Sequence, residues 1–379
     1  MTSTLPRPHR KSMRMKLSFQ HTRRADRDAA DQMSAVAAVI HANEEALAPY
    51  VPIYGWADDA SGTHPGQVQL FVREALVRRM EEARISGERV MQAELAQALK
   101  LGETRSLAGP PTSAALKRLA TDFPHFYEVL DLIRQRVSLA RLTPGQVFSL
   151  PPMLLTGPPG VGKTAFAEAL AACLRQPMKR VDVAATTAGF ALAGSHETWS
   201  AARHGAVWSL LQAPTASGLL LLDEVDKAGD GNYPVLGSLY SLLEPVSARH
   251  FQDEYMQVPV DASHLLVLGT CNDANTLESA LRSRFRIFQI PTPSTRDMVA
   301  IAQSVYRQLR AYRPWGTVFP DELPATVIER LSAYTPRVLS RLLEDALGRA
   351  ATAGRMHLVA EDIETLEASA NTKHKLGFI

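Results

Sequence analysis

The sequence predicts an α/β fold in which a parallel sheet is covered by helices on both faces, with further helical regions before and after it. Short apolar runs alternate with helix-forming stretches in the middle of the chain, as buried parallel strands do. One run, Met153–Thr156, is followed by a glycine-rich turn and an alanine-rich stretch without Gly or Pro. Two later runs end in the polar residues Asp223-Glu224 and Asn272, at the strand ends where such sheets bind ligands.

The glycine-rich turn fits the pattern G-x-x-x-x-G-K followed by Ser or Thr, which predicts a phosphate-binding loop. Glycines let successive backbone N–H groups surround phosphates at a helix N-terminus, whose partial positive charge favours anions. We expect Lys163 to reach the β- and γ-phosphates of a nucleotide and Thr164 to bind Mg²⁺. An accidental match is disfavoured, because every fixed position is filled in the order strand, loop, helix. The residues are Gly157, Pro158, Pro159, Gly160, Val161, Gly162, Lys163 and Thr164.

Length and composition narrow the classes to which the chain can belong. Its 379 residues are enough for two or three domains, and 46% hydrophobic and 21% charged residues are typical of a soluble globular protein. No run of about 18 apolar residues predicts a membrane span. The net charge of +2 favours neither the presence nor the absence of a nucleic-acid partner. Cys173 and Cys271 lack metal-binding or redox spacing, so we interpret them as buried thiols in a reducing cytoplasm.

The chain is predicted to divide into five segments. Residues 1–24 carry seven Lys and Arg and no acidic residue, which favours a disordered tail over a transit peptide or a tether to an anionic surface. Helices are expected at 33–47, 67–85 and 88–99, and an apolar stripe from Val129 to Ala140 predicts a further helix. The segments are a basic arm (1–29), a helical accessory region (30–108), a linker with a lead-in helix (109–150), the α/β nucleotide-binding domain (151–293), and an α-helical lid with the C-terminal tail (294–379).

Four strands are predicted for the sheet, at Met153–Thr156, 180–183, 219–222 and 265–270, and two of them carry the remaining chemistry. Asp223 is expected to hold Mg²⁺ through the waters bound to the metal, while Glu224 orients and deprotonates an attacking water. Asn272 is placed to hydrogen-bond that water or the γ-phosphate.

Three arginines alternate near the end of this domain, at positions 282, 284 and 286. Phosphoryl transfer gains from fixed positive charge at the γ-phosphate oxygens, and a planar guanidinium supplies it well. We expect Arg284 to serve the nucleotide of a neighbouring subunit, and the other two to be solvated or ion-paired.

The phosphate loop, the Asp-Glu strand, Asn272 and Ser283-Arg284-Phe285 together resemble AAA+ P-loop ATPases. The stretch 151–343 more narrowly resembles the ATPase module of Lon-type proteases. This narrower resemblance rests on GSHETWSAARHGAV (194–207), LLDEVDK (221–227), LLEP (242–245), FQDEY (251–255) and RVLSR (337–341).

The resemblance implies ATP as the nucleotide and a ring, expected to be a hexamer. It implies Asn272 as sensor 1, Arg284 as arginine finger and Arg337 as the sensor-2 arginine. It also implies that Trp199 grips a polypeptide in the central pore, although Trp replaces the usual Tyr and Ser200-Ala201 replace the usual apolar residue and Gly. The alternative for Trp199 is packing in the core.

A Lon peptidase needs a further domain with a nucleophilic serine and an activating lysine. The few residues at 367–379 lead us to expect an ATPase that is not a protease on its own, and the zinc-protease pattern H-E-x-x-H is absent from the sequence.

The favoured function is a ring-forming ATPase that remodels a protein substrate or serves a separate effector. One alternative is an ATP-dependent assembly switch or scaffold that threads nothing. Another is a DNA-handling AAA+ ATPase, which is disfavoured because no basic stripe with interleaved aromatics occurs outside the arm.

Overall fold

A computed structural model describes residues 66–142, 144–185, 187–196, 202–228 and 235–363 of the chain. The basic arm, the predicted helix at 33–47, Trp199 and the tail from residue 364 lie outside the described residues. No helix within the described ranges is both long enough and apolar enough to span a bilayer.

The described part of the accessory region, residues 66–108, is a helical hairpin flanked by a two-stranded antiparallel ribbon. The predicted helix at 67–85 is wrong at its start, because Gln67–Gln69 is a strand. This strand pairs over a long range with Thr104–Ser106, and such pairing overrides local helix propensity. Gly87 ends the first helix in the left-handed conformation, as glycines at helix ends do. The elements are β1 (Gln67–Gln69), α1 (Arg73–Ser86), α2 (Arg89–Leu101) and β2 (Thr104–Ser106).

Two helices lead into the sheet, α3 (Ser113–Asp122) and α4 (Tyr127–Ala140). The apolar stripe of α4 is buried as predicted. Helix α3 lies in the segment predicted as a linker, and it begins where the Thr112 hydroxyl accepts the backbone N–H of Ala115 at 3.2 Å.

The sheet has five parallel strands in the order β4-β5-β8-β3-β9. The four predicted strands are confirmed, with ends shifted by one or two residues at three of them. The fifth, β9, was missed because it is an edge strand in which only Phe288 is buried. The elements of this region are β3 (Met153–Thr156), α5 (Lys163–Leu174), β4 (Met178–Asp182), α6 (Ala188–Ala193), α7 (Ala206–Leu211), β5 (Leu219–Asp223), α8 (Leu236–Leu243), α9 (Pro245–Ala248), β6 (Phe251–Gln252), β7 (Pro259–Val260), β8 (Leu266–Cys271), α10 (Ser279–Arg282) and β9 (Arg286–Gln289).

The C-terminal part is helical, as predicted, and has its own apolar core. A capping box starts its first helix: the Ser294 side chain accepts the N–H of Asp297, and the Asp297 carboxylate accepts the N–H of Ser294. An ion pair of 3.0 Å between Arg307 and the buried Asp122 connects this helix to α3. Its helices are α11 (Thr295–Tyr312), α12 (Ala325–Leu331) and α13 (Pro336–Thr352).

The accessory hairpin packs on the same apolar core as α6, α7 and the β6–β7 hairpin. The Arg79 guanidinium donates to the carbonyl of Met256 at 3.2 Å. Glu94 Oε2 lies 3.2 Å from His204 Nε2, just beyond the segment that carries Trp199. Burial by itself would lower the pKa of His204, but the contacts with Glu94 and the nearby carboxylate of Asp253 outweigh it and raise that pKa.

We expect Glu94→Gln to destabilise the protein more at about pH 6 than at about pH 9. Because the folded-state pKa of His204 is raised, the stability that it contributes is fully present below its unfolded pKa and is lost as the pH rises through its folded pKa. The loss at the lower pH should be about 1 kcal/mol. Thermal unfolding at both pH values measures it.

Glu81→Gln is the matched control, since Glu81 forms an exposed ion pair with Arg84, and not with a histidine, on the same hairpin. Equal destabilisation by Glu94→Gln at both pH values would contradict a charged His204.

Candidate nucleotide site

A cavity of about 430 Å³ opens at the carboxyl ends of β3, β5 and β8, between the glycine-rich turn and the C-terminal helices. Such an edge of a parallel sheet is where ligands bind. The predicted polar strand ends and the turn therefore face one space. Its lining includes Asp122, Phe123, His125, residues 159–165, Arg180, Asp223, Glu224, Thr270, Cys271, Asn272, Ile301, Ser304, Val305, Gln308, Pro336 and Arg337.

Three residues of the turn have positive φ angles, which glycine adopts more easily than other residues. Gly157, Gly160 and Gly162 have φ angles of 151°, 85° and 97°. A Cβ on Gly157 would come within 2.4 Å of the Ile290 carbonyl oxygen. Helix α5 begins at Lys163, so its N-terminal N–H groups face the cavity that the turn encloses. The loop and helix together fit an anionic phosphate chain.

Lys163 is buried at the end of the cavity formed by the glycine-rich turn, with 9% of the residue exposed. Its Nζ donates to the carbonyls of Gly157 and Pro158 at 2.6 and 3.0 Å, and lies 3.4 Å from Asn272 Oδ1. These partners are neutral, and burial lowers the pKa of the ammonium. Among the described residues no carboxylate lies within hydrogen-bond distance of this ammonium, which prepares it to bind a phosphate.

Asp223 ends β5 as a buried carboxylate. The Thr164 hydroxyl donates to it at 3.3 Å, and the Thr270 hydroxyl donates to it from the neighbouring strand. Arg180 Nη2 lies 2.6 Å from its Oδ2. An adjacent hydroxyl and carboxylate are the hard oxygen ligands that Mg²⁺ takes beside phosphates, so Thr164 and Asp223 fit that metal.

Glu224 follows in a left-handed conformation, with φ 58° and ψ 49°. This conformation costs a non-glycine residue about 1 kcal/mol or more. It is held by the hydrogen bond of 3.1 Å from the Glu224 N–H to the Thr270 hydroxyl. The resulting turn exposes Glu224 at the cavity, where a carboxylate can accept a proton from water.

The other end of the cavity combines apolar and polar side chains and is closed by two segments that are distant in sequence. Phe123 comes from the end of α3, and Ile301 and Val305 come from α11. His125 Nε2 lies 2.9 Å from the Val161 carbonyl, and burial lowers the pKa of this imidazole. The neutral ring therefore donates its Nε2 proton to that carbonyl, and the end as a whole suits a planar base.

Comparison with known proteins agrees with this geometry. Residues 153–292 match the family described as "ATPase family associated with various cellular activities (AAA)". This segment is an AAA domain.

Relatives of the AAA domain include Lon proteases, which confirms the resemblance seen in the sequence. The chain is 32% identical over 239 residues to the peroxisomal Lon protease homolog 2 of Caenorhabditis elegans, covering 62% of this chain and 31% of that protein. It is 32% identical over 204 residues to the Lon protease of Chloroflexus aurantiacus, covering 52% and 24%. The chain thus spans less than a third of the length of these two relatives. A Saccharomyces cerevisiae Hsp104:casein complex has a TM-score of 0.49 at 17% identity, covering 64% of this chain and 48% of that chain.

Most of the residues predicted for the site meet in this cavity of the AAA domain. Lys163, Thr164, Asp223, Glu224 and Asn272 line it together with much of the loop. The sensor-2 candidate, Arg337, is the second residue of α13 and lines the cavity close to the loop, since a Cβ added to Gly160 would lie 3.3 Å from Arg337 Cβ.

Arg284 is not among the residues that line this cavity. Its Nη1 donates to the Ala280 carbonyl at 2.7 Å, and its guanidinium lies 4.9 Å from the centre of the Tyr240 ring. If Arg284 contacts a nucleotide, that nucleotide must therefore be bound in the site of another subunit. Trp199 lies outside the described residues.

Sequence reasoning missed Arg180 and His125 as site residues. Arg180 sits in a run that reads as an ordinary strand, and His125 precedes the domain in a short segment between two helices. The two adjacent cations Lys179 and Arg180 within a predicted strand are the signal that could have identified Arg180.

Proposed function

We propose that this chain binds ATP with Mg²⁺ in the cavity, hydrolyses it, and uses the reaction to remodel a protein partner. The observation that carries the proposal is the convergence of Lys163, Thr164, Asp223 and Glu224 at one edge of the sheet. The match to the AAA ATPase family supports the same activity.

In the proposed reaction, the N–H groups of the loop and of the α5 N-terminus hold the phosphates. Lys163 exchanges its carbonyl partners for phosphate oxygens, which its charge favours. Thr164 and Asp223 hold Mg²⁺, which neutralises charge on the phosphates. Phe123 and Ile301 pack on the base, which fixes the triphosphate relative to Glu224.

Glu224 then accepts the proton of the attacking water, because its carboxylate is exposed at the cavity one residue beyond Asp223. Asn272 orients that water or the γ-phosphate, since its side chain lies beside Lys163. Arg337, which reaches the loop from the C-terminal helices, adds positive charge at the phosphates and connects those helices to the nucleotide state.

We further propose that activity needs a homo-oligomeric ring, expected to be a hexamer. Arg284 is supported on the Tyr240 ring and does not line the cavity of its own chain. A guanidinium held outside its own cavity suits insertion into the site of a neighbouring subunit.

The similarity to Lon proteases supports the proposed remodelling step, in which Trp199 would be the aromatic residue that grips the polypeptide.

Two further proposals concern the location of the protein and its lack of protease activity. We propose a cytoplasmic location, which the two free, buried cysteines support. We also propose that the chain is not a protease on its own, and a gel assay for fragments of an unfolded polypeptide checks this.

Lys163→Ala should abolish ATP binding, whereas Glu224→Gln should bind ATP and lose turnover by about 10²–10⁴-fold. The phosphate and metal contacts survive the second change, while the water loses its base. Equilibrium binding of ATP and phosphate release measure the two effects. Exposed Glu329→Gln on α12 is the control and should keep both. Normal turnover by Glu224→Gln would contradict its role.

Arg284→Ala should lower turnover on the order of 10³-fold with ATP affinity nearly intact, as the loss of an arginine finger does. Mixing it with Lys163→Ala should restore part of the activity, because mixed interfaces combine one intact loop with one intact finger. Arg282→Ala, which loses a hydrogen bond of 3.4 Å from Arg282 to Asn275, is the control. No rescue in rings proven to be mixed would argue against a finger that acts between subunits.

A further inference from the structure

Arg180 places a guanidinium on the carboxylate that is expected to bind the metal. Its Cα is paired with Leu221, two residues before Asp223, and its side chain extends along the sheet to the strand end. The Nη2 to Oδ2 distance of 2.6 Å is that of a strong charged hydrogen bond. Arg180 lines the same cavity as the phosphate loop.

The carboxylate of Asp223 needs a cation, because its side chain is only 7% exposed. Its other hydrogen-bond partners are the hydroxyls of Thr164 and Thr270, which bring no charge. Lys163 gives its hydrogen bonds to two backbone carbonyls and to Asn272. Within the part of the chain that the structure describes, Arg180 is thus the cation that pairs with Asp223.

A guanidinium and Mg²⁺ compete for this carboxylate, whether the metal binds it directly or through a water. A divalent ion close to the guanidinium adds like-charge repulsion, so the pairing with Arg180 and the binding of the metal oppose each other. The Arg180 side chain is 52% exposed, so it can turn away into water or towards a phosphate without crossing packed side chains.

We propose that Arg180 is a positioning residue that takes the place of the metal on Asp223 until Mg²⁺ arrives, and thereby sets how much Mg²⁺ the site requires. This rests on the proposed function in assigning Asp223 and Thr164 to the metal. The pairing keeps the buried carboxylate oriented before ATP binds, and binding of the metal releases the guanidinium.

The test is the binding of Mg²⁺ alone to the full chain, followed by thermal unfolding without nucleotide. Arg180→Ala should reach its half-maximal stabilisation at a Mg²⁺ concentration about fivefold lower than the wild type, because the competitor is gone. In EDTA it should unfold at a lower temperature than the wild type, because Asp223 then has no charged partner. Arg180→Lys keeps a positive charge without the planar fork and should fall between the two.

Arg286→Ala removes one positive charge from β9, where Arg286 pairs with Met153 at the start of the neighbouring strand. It should leave the Mg²⁺ requirement unchanged, which separates local competition from net charge. Repeating the thermal unfolding at several NaCl concentrations, without Mg²⁺, measures how much general ionic screening alone changes the stability.

Three results would overturn the proposal: the same Mg²⁺ requirement in Arg180→Ala and wild type, a higher requirement in the variant, or no Mg²⁺-dependent shift in the variant. If Arg180→Ala does not fold, Arg180→Lys provides the test. The same Mg²⁺ requirement in Arg180→Lys and wild type would contradict a role for the planar guanidinium of Arg180. Failure of the proposed function is seen separately, as absence of ATP binding by the wild type in saturating Mg²⁺.

Discussion

The Asp223 carboxylate, buried at the carboxyl edge of the sheet, is the constraint on which the rest of the site depends. A buried charge is tolerated only where neighbours stabilise it. Pairing of Leu222 with Gly269 places Thr270 beside Asp223, and the phosphate loop brings Thr164 to its other side. The same Thr270 hydroxyl accepts the N–H of Glu224 and so fixes the turn that exposes that residue. One carboxylate thus positions the residues that we propose as metal ligands and as the base for the attacking water.

The C-terminal helices complete the cavity, and a second buried carboxylate connects them to the lead-in region. Asp122 pairs with Arg307 of α11 at 3.0 Å, and burial raises the pKa of this carboxyl. The end of α3 and helix α11 both supply residues that line the end of the cavity away from the phosphate loop. Their relative position therefore sets the width of the space that a nucleotide base could occupy. Arg337 reaches the phosphate loop from the same group of helices. A nucleotide that contacts both sides would therefore couple its phosphate state to the position of these helices.

Sequence motifs predicted the structural features that depend on residues close together in the chain. The loop's glycines, the apolar run of β5 and the strand-end position of Asn272 were enough to predict residues that line one cavity. Features created by tertiary contacts escaped prediction. The ribbon strand β1 exists through pairing with β2, β9 is an edge strand with one buried residue, and Arg180 matters only because register carries it to Asp223. His125 joins the site from outside the domain through its contact with Val161. Patterns of hydrophobicity carry no information on such pairings.

The central claim is that this AAA domain couples ATP hydrolysis to work on a polypeptide. Its most direct test is the rate of phosphate release by the wild-type chain with Mg²⁺ and ATP, measured alone, with a permanently unfolded polypeptide and with duplex DNA. The account predicts turnover that rises with the unfolded polypeptide, does not respond to DNA, and loses its response to polypeptide in Trp199→Ala. Absence of turnover in all three conditions, or a rise with DNA alone, would contradict it.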